Sequence, residues 1–132
     1  MGRRLALGLL VAICATHANA DDWLEVGNTD ALLWQARTGS GVMSKNRGGK
    51  PLVVAAGRIY DKSAKSYNFV KWYVTLDHCA AGSGKLVTLN NDSEFKYEND
   101  FVFKGGSVAS SIAETLCGVA TSIRQEDSDK GI

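Results

Sequence analysis

The chain is poor in the residues that carry most enzyme chemistry: two histidines and three cysteines stand among its 132 residues. His17 lies in the leader-like segment described below, so the one remaining histidine, His78, excludes a multi-histidine zinc centre and leaves any Ser-His-Asp arrangement resting on a single candidate. A large excess of either charge is missing too, since 15 Lys and Arg face 14 Asp and Glu. That balance argues against bulk electrostatic binding of nucleic acid. Nor is the longest apolar run able to span a bilayer as a helix: residues 5–15 offer roughly ten apolar positions where about 20 are needed.

That short run belongs to another pattern. Arg3 and Arg4 precede it, and Ala18-Asn19-Ala20 follows it with the small-x-small spacing that a signal peptidase accepts. The order predicts a cleavable secretory signal over 1–20, with Asp21 as the new N-terminus and no transmembrane segment after cleavage. A buried N-terminal helix is the alternative reading, and the residues around Arg3-Arg4 fit the twin-arginine route poorly. Lipidation of Cys14 is disfavoured because Ile13, directly before it, is not small. Cleavage takes two arginines and no acid, which leaves 13 basic against 14 acidic side chains, formally −1. The expected organisation is one domain over 21–123 and a polar, flexible tail over 124–132.

Two cysteines remain in the mature part, Cys79 and Cys117. An even count in an exported chain reads as one disulfide, with two separately buried thiols as the alternative. Closing a loop of about 39 residues stabilises a fold by roughly 4 kcal/mol in the chain-entropy model.

Strand signals come first and a helix last. Residues 23–26 alternate weakly, and 31–37 place Leu32, Trp34 and Ala36 on one face and Gln35 and Arg37 on the other. Residues 42–44 form a short β-prone piece between glycine-rich segments. Residues 51–61 are the most apolar stretch, with no polar side chain from Leu52 to Ala56, which predicts cover on both sides. Residues 69–76 alternate again, 85–89 are β-prone, and 95–103 give the clearest strand, with a bend or bulge expected at Asn99. After Gly105-Gly106, Ser107 is an N-cap. Val108, Ala109, Ile112, Ala113, Leu116, Val119, Ala120 and Ile123 then share one side of a helix, with Ser110 and Ser111 on the other. The expected class is α+β, an antiparallel sheet covered by one C-terminal helix. Cys79, read as strand, has the parity of Lys71 and Tyr73 rather than of Trp72, which sits awkwardly with a bridge to the helix.

Candidate catalytic and cofactor sites are few, and the expectation is none of either. Asp77-His78-Cys79 brings reactive types together, but adjacent strand residues point to opposite faces, and a bridged Cys79 is no nucleophile. Gly39-Ser40-Gly41 and Gly82-Ser83-Gly84-Lys85 resemble phosphate loops without the P-loop spacing or the strand-then-helix setting. Asn91-Asp92-Ser93 is a glycosylation acceptor in form only. The acids of 92–100 alternate with aromatics as a solvated strand face does, unlike a calcium loop, and no metal site is expected.

Charge is unevenly placed. Lys45, Arg47, Lys50, Arg58, Lys62, Lys65 and Lys71 crowd the middle of the chain, opposed there by Asp61 alone. An ordinary solvated surface explains such a run; the functional alternative is a contact patch for anionic glycans, extracellular protein or lipid headgroups.

With these pieces placed, residues 22–118 resemble the surface-adhesin protein E-like family of small exported bacterial proteins. The resemblance is carried by Trp23 with Val26-Gly27, Lys71-Trp72-Tyr73-Val74 leading to Cys79, Gly82-x-Gly84-Lys85-Leu86, and Phe103-x-Gly105-Gly106-Ser107-Val108-Ala109 running to Ile112-Ala113 and Cys117. It implies a sheet of about six antiparallel strands, a C-terminal helix and a strand-to-helix disulfide. The family's founding member is an outer-membrane adhesin that binds host matrix proteins and plasminogen. The glycine-rich region over 38–50 departs from the pattern. The expectation is a non-catalytic envelope or surface binding protein of a Gram-negative bacterium, contacting host matrix protein or anionic glycan through the basic segment. The alternative is a periplasmic structural or assembly factor that holds another envelope protein.

Overall fold

The computed structural model describes residues 22–130; the expected signal over 1–20, with Cys14, lies outside the described residues. Alternating apolar side chains build seven strands: β1 (Trp23–Asn28), β2 (Leu32–Arg37), β3 (Val42–Lys45), β4 (Pro51–Asp61), β5 (Ser66–Thr75), β6 (Ser83–Asn90) and β7 (Phe95–Val102). A short helix α1 (Leu76–Ala81) follows β5, and α2 (Val108–Lys130) closes the described chain. All pairings are antiparallel, in the order β1-β2-β4-β5-β6-β7. β2 pairs with one end of β4 and β3 with the other. Ser40 fills the gap between them: its hydroxyl accepts the Ala56 N–H at 3.0 Å and donates to the Arg37 carbonyl at 2.8 Å. Gly39-Ser40-Gly41 is therefore a splice between two short strands, and its serine is committed to the sheet.

α2 starts where Ser107 predicts, with the Ser107 hydroxyl accepting the Ser110 N–H at 3.0 Å. Its apolar stripe lies on Val26, Ala36, Val53, Ala55, Val70, Trp72, Val74, Leu86 and Phe101. Burying each large side chain in that layer is worth about 1.5–3 kcal/mol, and Trp72 and Leu116 are among the most enclosed. Ser110, expected on the polar side, is buried instead, because its hydroxyl takes the Val102 N–H at 3.3 Å and meets the Ser107 hydroxyl at 2.9 Å. The helix continues through polar residues to Lys130, beyond the end of the stripe at Ile123.

The expected α+β architecture and the Cys79–Cys117 disulfide are both present, with a Cα–Cα separation of 5.5 Å. The awkward parity of Cys79 disappears because β5 stops at Thr75 and the chain turns into α1, which swings Cys79 over to α2. Gly82 ends α1 in the left-handed conformation (φ 74°), its N–H on the carbonyls of His78 and Cys79.

Two further expectations need correction. The bulge on β7 falls at Lys96, not Asn99: Tyr97 pairs with Thr88 but Phe95 with Leu89, so the extra residue turns Phe95 to the face opposite Tyr97. The apolar stretch of β4 is covered by a helix on one side only, although Leu52 on the other face is buried as well. Val53 and Ala55 lie under α2, whereas Val54 and Ala56 are half-buried on the other face, screened by side chains of the sheet itself.

Candidate functional site

One helix can cover one face of a seven-stranded sheet, and among the described residues no second long helix lies on the other face. Register fixes what it displays. Gln35, Arg58 and Phe69 form one row across β2, β4 and β5; Ala56, Lys71, Leu89 and Phe95 form another across β4 to β7; Val54, Tyr73 and Val87 form a third. Two sites on this face draw on the basic segment.

The first is a groove of about 680 Å³. Leu52, Val54, Tyr73 and Leu89 form its floor, Phe95 one wall, and Lys45, Arg47 and Lys71 bring positive charge to it. β3 positions Lys45 by pairing it with Pro51, and the turn after it carries Arg47. Lys71 reaches across to the β6–β7 turn, where its ammonium meets the Ser93 hydroxyl at 2.7 Å. Lys45 and Arg47 are exposed and form no ion pair among the described residues. Glu94 lies on the rim, its carboxylate accepting an N–H from Asn90 at 3.2 Å. Phe95, 62% exposed, reaches this groove only because of the bulge at Lys96.

The second is an aromatic cluster of Trp23, Tyr60, Tyr67 and Phe69 around Arg58. The Arg58 guanidinium lies 4.0 Å from the Trp23 ring centre and 4.2 Å from that of Tyr67.

The other three cations of the segment go elsewhere. Lys50 pairs with Asp77 at 3.2 Å. Lys62 ties down the β1–β2 turn, donating to the Asn28 side chain and the Thr29 carbonyl at 2.6 Å each. Lys65 holds a left-handed position (φ 54°) in the β4–β5 turn, which Asp61 organises by accepting from Ser63 and Ala64. Those bonds, the Ala64 N–H foremost, hold the Asp61 carboxyl below its usual range. Seven cations in sequence thus become three around a groove, one in an aromatic clamp, two with structural partners and one, Lys65, at a turn.

His78 and the Gly-Ser-Gly-Lys motif explain each other. The imidazole lies flat against Gly84, and its Nδ1 accepts the Lys85 N–H at 3.3 Å. The backbone donor that a phosphate loop would offer is occupied by the histidine. The Lys85 ammonium contacts Asp100 and, at 3.9 Å, Glu98, which raises its pKa, Asp100 being the main cause. Asp77 bonds to Thr75, Lys50 and the His78 N–H, not to the imidazole. Among the described residues no three His, Cys, Asp or Glu are grouped to hold a metal ion, and no helix is long and apolar enough to cross a membrane.

A separate apolar cavity of about 510 Å³ opens between α2 and the β1–β2 end of the sheet, lined by Leu24, Val26, Ala36, Leu116, Val119 and Ile123 among others. Sequence reasoning found neither the cavity nor the aromatic clamp; alternation located the strands but not the lateral reach of Arg58 across two of them. No protein-family model, curated protein or solved structure matches the chain.

Proposed function

We propose that the chain is an exported, non-catalytic binding protein of a bacterial envelope or surface that takes an anionic partner, host matrix protein or glycan, on the open sheet face. The observation that supports this most is the convergence of Lys45, Arg47 and Lys71 on one groove beside Tyr73 and Phe95. Cations over an apolar floor attract an anionic partner from a distance and then bury part of it. The resemblance to the surface-adhesin protein E-like family points the same way. The test compares two sets of variants by heparin retention and binding to immobilised matrix protein. K45Q/R47Q/K71Q should weaken binding and flatten its salt dependence, whereas K62Q/K65Q should leave both nearly unchanged. Equal effects from the two sets, or none from the triple variant, would sink the groove.

The apolar cavity beside α2 favours a second reading, a periplasmic assembly factor that holds an apolar segment of another envelope protein. Surface labelling of intact cells separates the two. A protein reached only after the outer membrane is opened is no adhesin.

A further inference from the structure

Arg58 is held as few surface arginines are. Two rings clamp its guanidinium, and its Nε donates to the Gln35 side-chain oxygen at 2.7 Å. Gln35 is its one hydrogen-bond partner among the described residues, and none of their carboxylates forms an ion pair with it. Glu25, on the same face, pairs with Gln35, so its backbone lies two strands, about 10 Å, from that of Arg58. The four N–H groups on the terminal nitrogens therefore remain for a ligand. Side-chain entropy that an arginine normally loses on binding has been lost in folding, and the planar fork matches a carboxylate.

The surroundings narrow the ligand further. The guanidinium already covers the inner faces of Trp23 and Tyr67, where a sugar ring would stack. What remains is apolar: Phe69 is 50% exposed and Tyr67 45%, with ring centres 6.3 Å apart. Phe69 also lies 6.4 Å from the Trp23 ring. Arg37, whose guanidinium is 5.9 Å from the Trp23 ring centre, adds to the positive field.

The geometry points to Arg58 as a carboxylate-binding residue that takes a carboxylate adjoining an apolar group, as at the C-terminus of a polypeptide ending in an aromatic or aliphatic residue. The carboxylate bonds to the guanidinium edge, and the apolar group covers Phe69 and the edge of Tyr67. This site shares no residue with the basic groove and stands or falls separately from it.

The experiment titrates the full chain, followed by the Trp23 indole N–H resonance, with N-acetyl-phenylalanine and with its uncharged carboxamide. The acid should bind at least tenfold more tightly than the amide. R58K, which keeps the charge and removes the fork, should lose that preference, and K71Q should retain it. Thermal unfolding checks that R58K is folded; the acid–amide comparison on the unaltered chain stands without it. Equal binding of acid and amide, or no response at Trp23, overturns the assignment. Tighter binding of inorganic phosphate or of glucuronate than of the acid overturns it as well. Heparin retention unaltered in R58K keeps this result distinct from that of the groove.

Discussion

The ring of Trp72 lies against the backbone of Gly57 on the neighbouring strand: a Cβ at Gly57 would come 2.0 Å from Cζ3 of Trp72. Trp72 can occupy the centre of the core, 1% exposed under α2, because β4 carries no side chain there. Gly57→Ala should therefore destabilise the protein by about 3 kcal/mol, as overpacking in a filled core does. Adding Trp72→Leu should make the double variant less unstable than the sum of the two single losses. Urea unfolding of the disulfide-intact protein measures both, and strict additivity would show that the contact carries no energy.

A similar close approach joins His78 and Gly84. A Cβ at Gly84 would meet the imidazole Cγ at 2.2 Å, and its φ of 155° disfavours side chains. Gly84→Ala should cost about 2 kcal/mol through clash and backbone strain. His78→Ala should cost about 1 kcal/mol through the lost acceptor for the Lys85 N–H. Since His78→Ala also opens the space that the new methyl needs, the double variant should recover at least part of the clash. A phosphate-loop role makes a different forecast, that inorganic phosphate stabilises the protein and that Gly84→Ala abolishes the effect.

Strand positions were readable from alternation because period-2 burial needs only one covered face, and α2 announced itself through Ser107 and its stripe. The count of cysteines pointed to the bridge. What could not be read had causes in three dimensions. α1 has six residues, too few for a helical period to show, so Leu76 to Cys79 passed for strand. The extra residue at Lys96 depends on the turn before it, where Asn90 takes the N–H groups of Asp92 and Glu94. The basic segment looked uniform because lysines and arginines are long: Arg58 reaches toward β1 and Lys71 toward β7, although they sit one row apart. Only strand order decides which of them meet.

The bridge from α1 to α2, with Cys117 buried in the core and Cys79 packed against it, should carry a large share of the stability. It spans 38 positions of sequence, and loop closure of that length is worth roughly 4 kcal/mol in the chain-entropy model. Much of a small domain's net stability is then at stake. Cys79→Ala/Cys117→Ala, or reduction of the unaltered chain, should lower the urea midpoint strongly while leaving the sheet spectrum of the folded form intact. An unchanged midpoint would show that the helix stripe alone secures α2.

Asp77 gives the stability a distinct acid limb. The Thr75 hydroxyl donates to its carboxylate at 2.5 Å, Lys50 lies 3.2 Å away, and the His78 N–H adds a bond at 2.9 Å. Together, Thr75 first and Lys50 second, they lower its pKa from 3.8 to about 2. A carboxyl more acidic in the folded state stabilises the fold fully above its unfolded pKa, and that contribution fades as pH falls through the folded value. The loss should therefore fall between about pH 4 and pH 2. Asp77→Asn should flatten the stability profile in that window and leave its slope above pH 5 unchanged. Thr75→Val should raise the Asp77 pKa more than Lys50→Gln does, and carboxyl-carbon NMR titration reads each shift directly. If Lys50→Gln has the larger effect, charge rather than the hydroxyl holds the proton off Asp77.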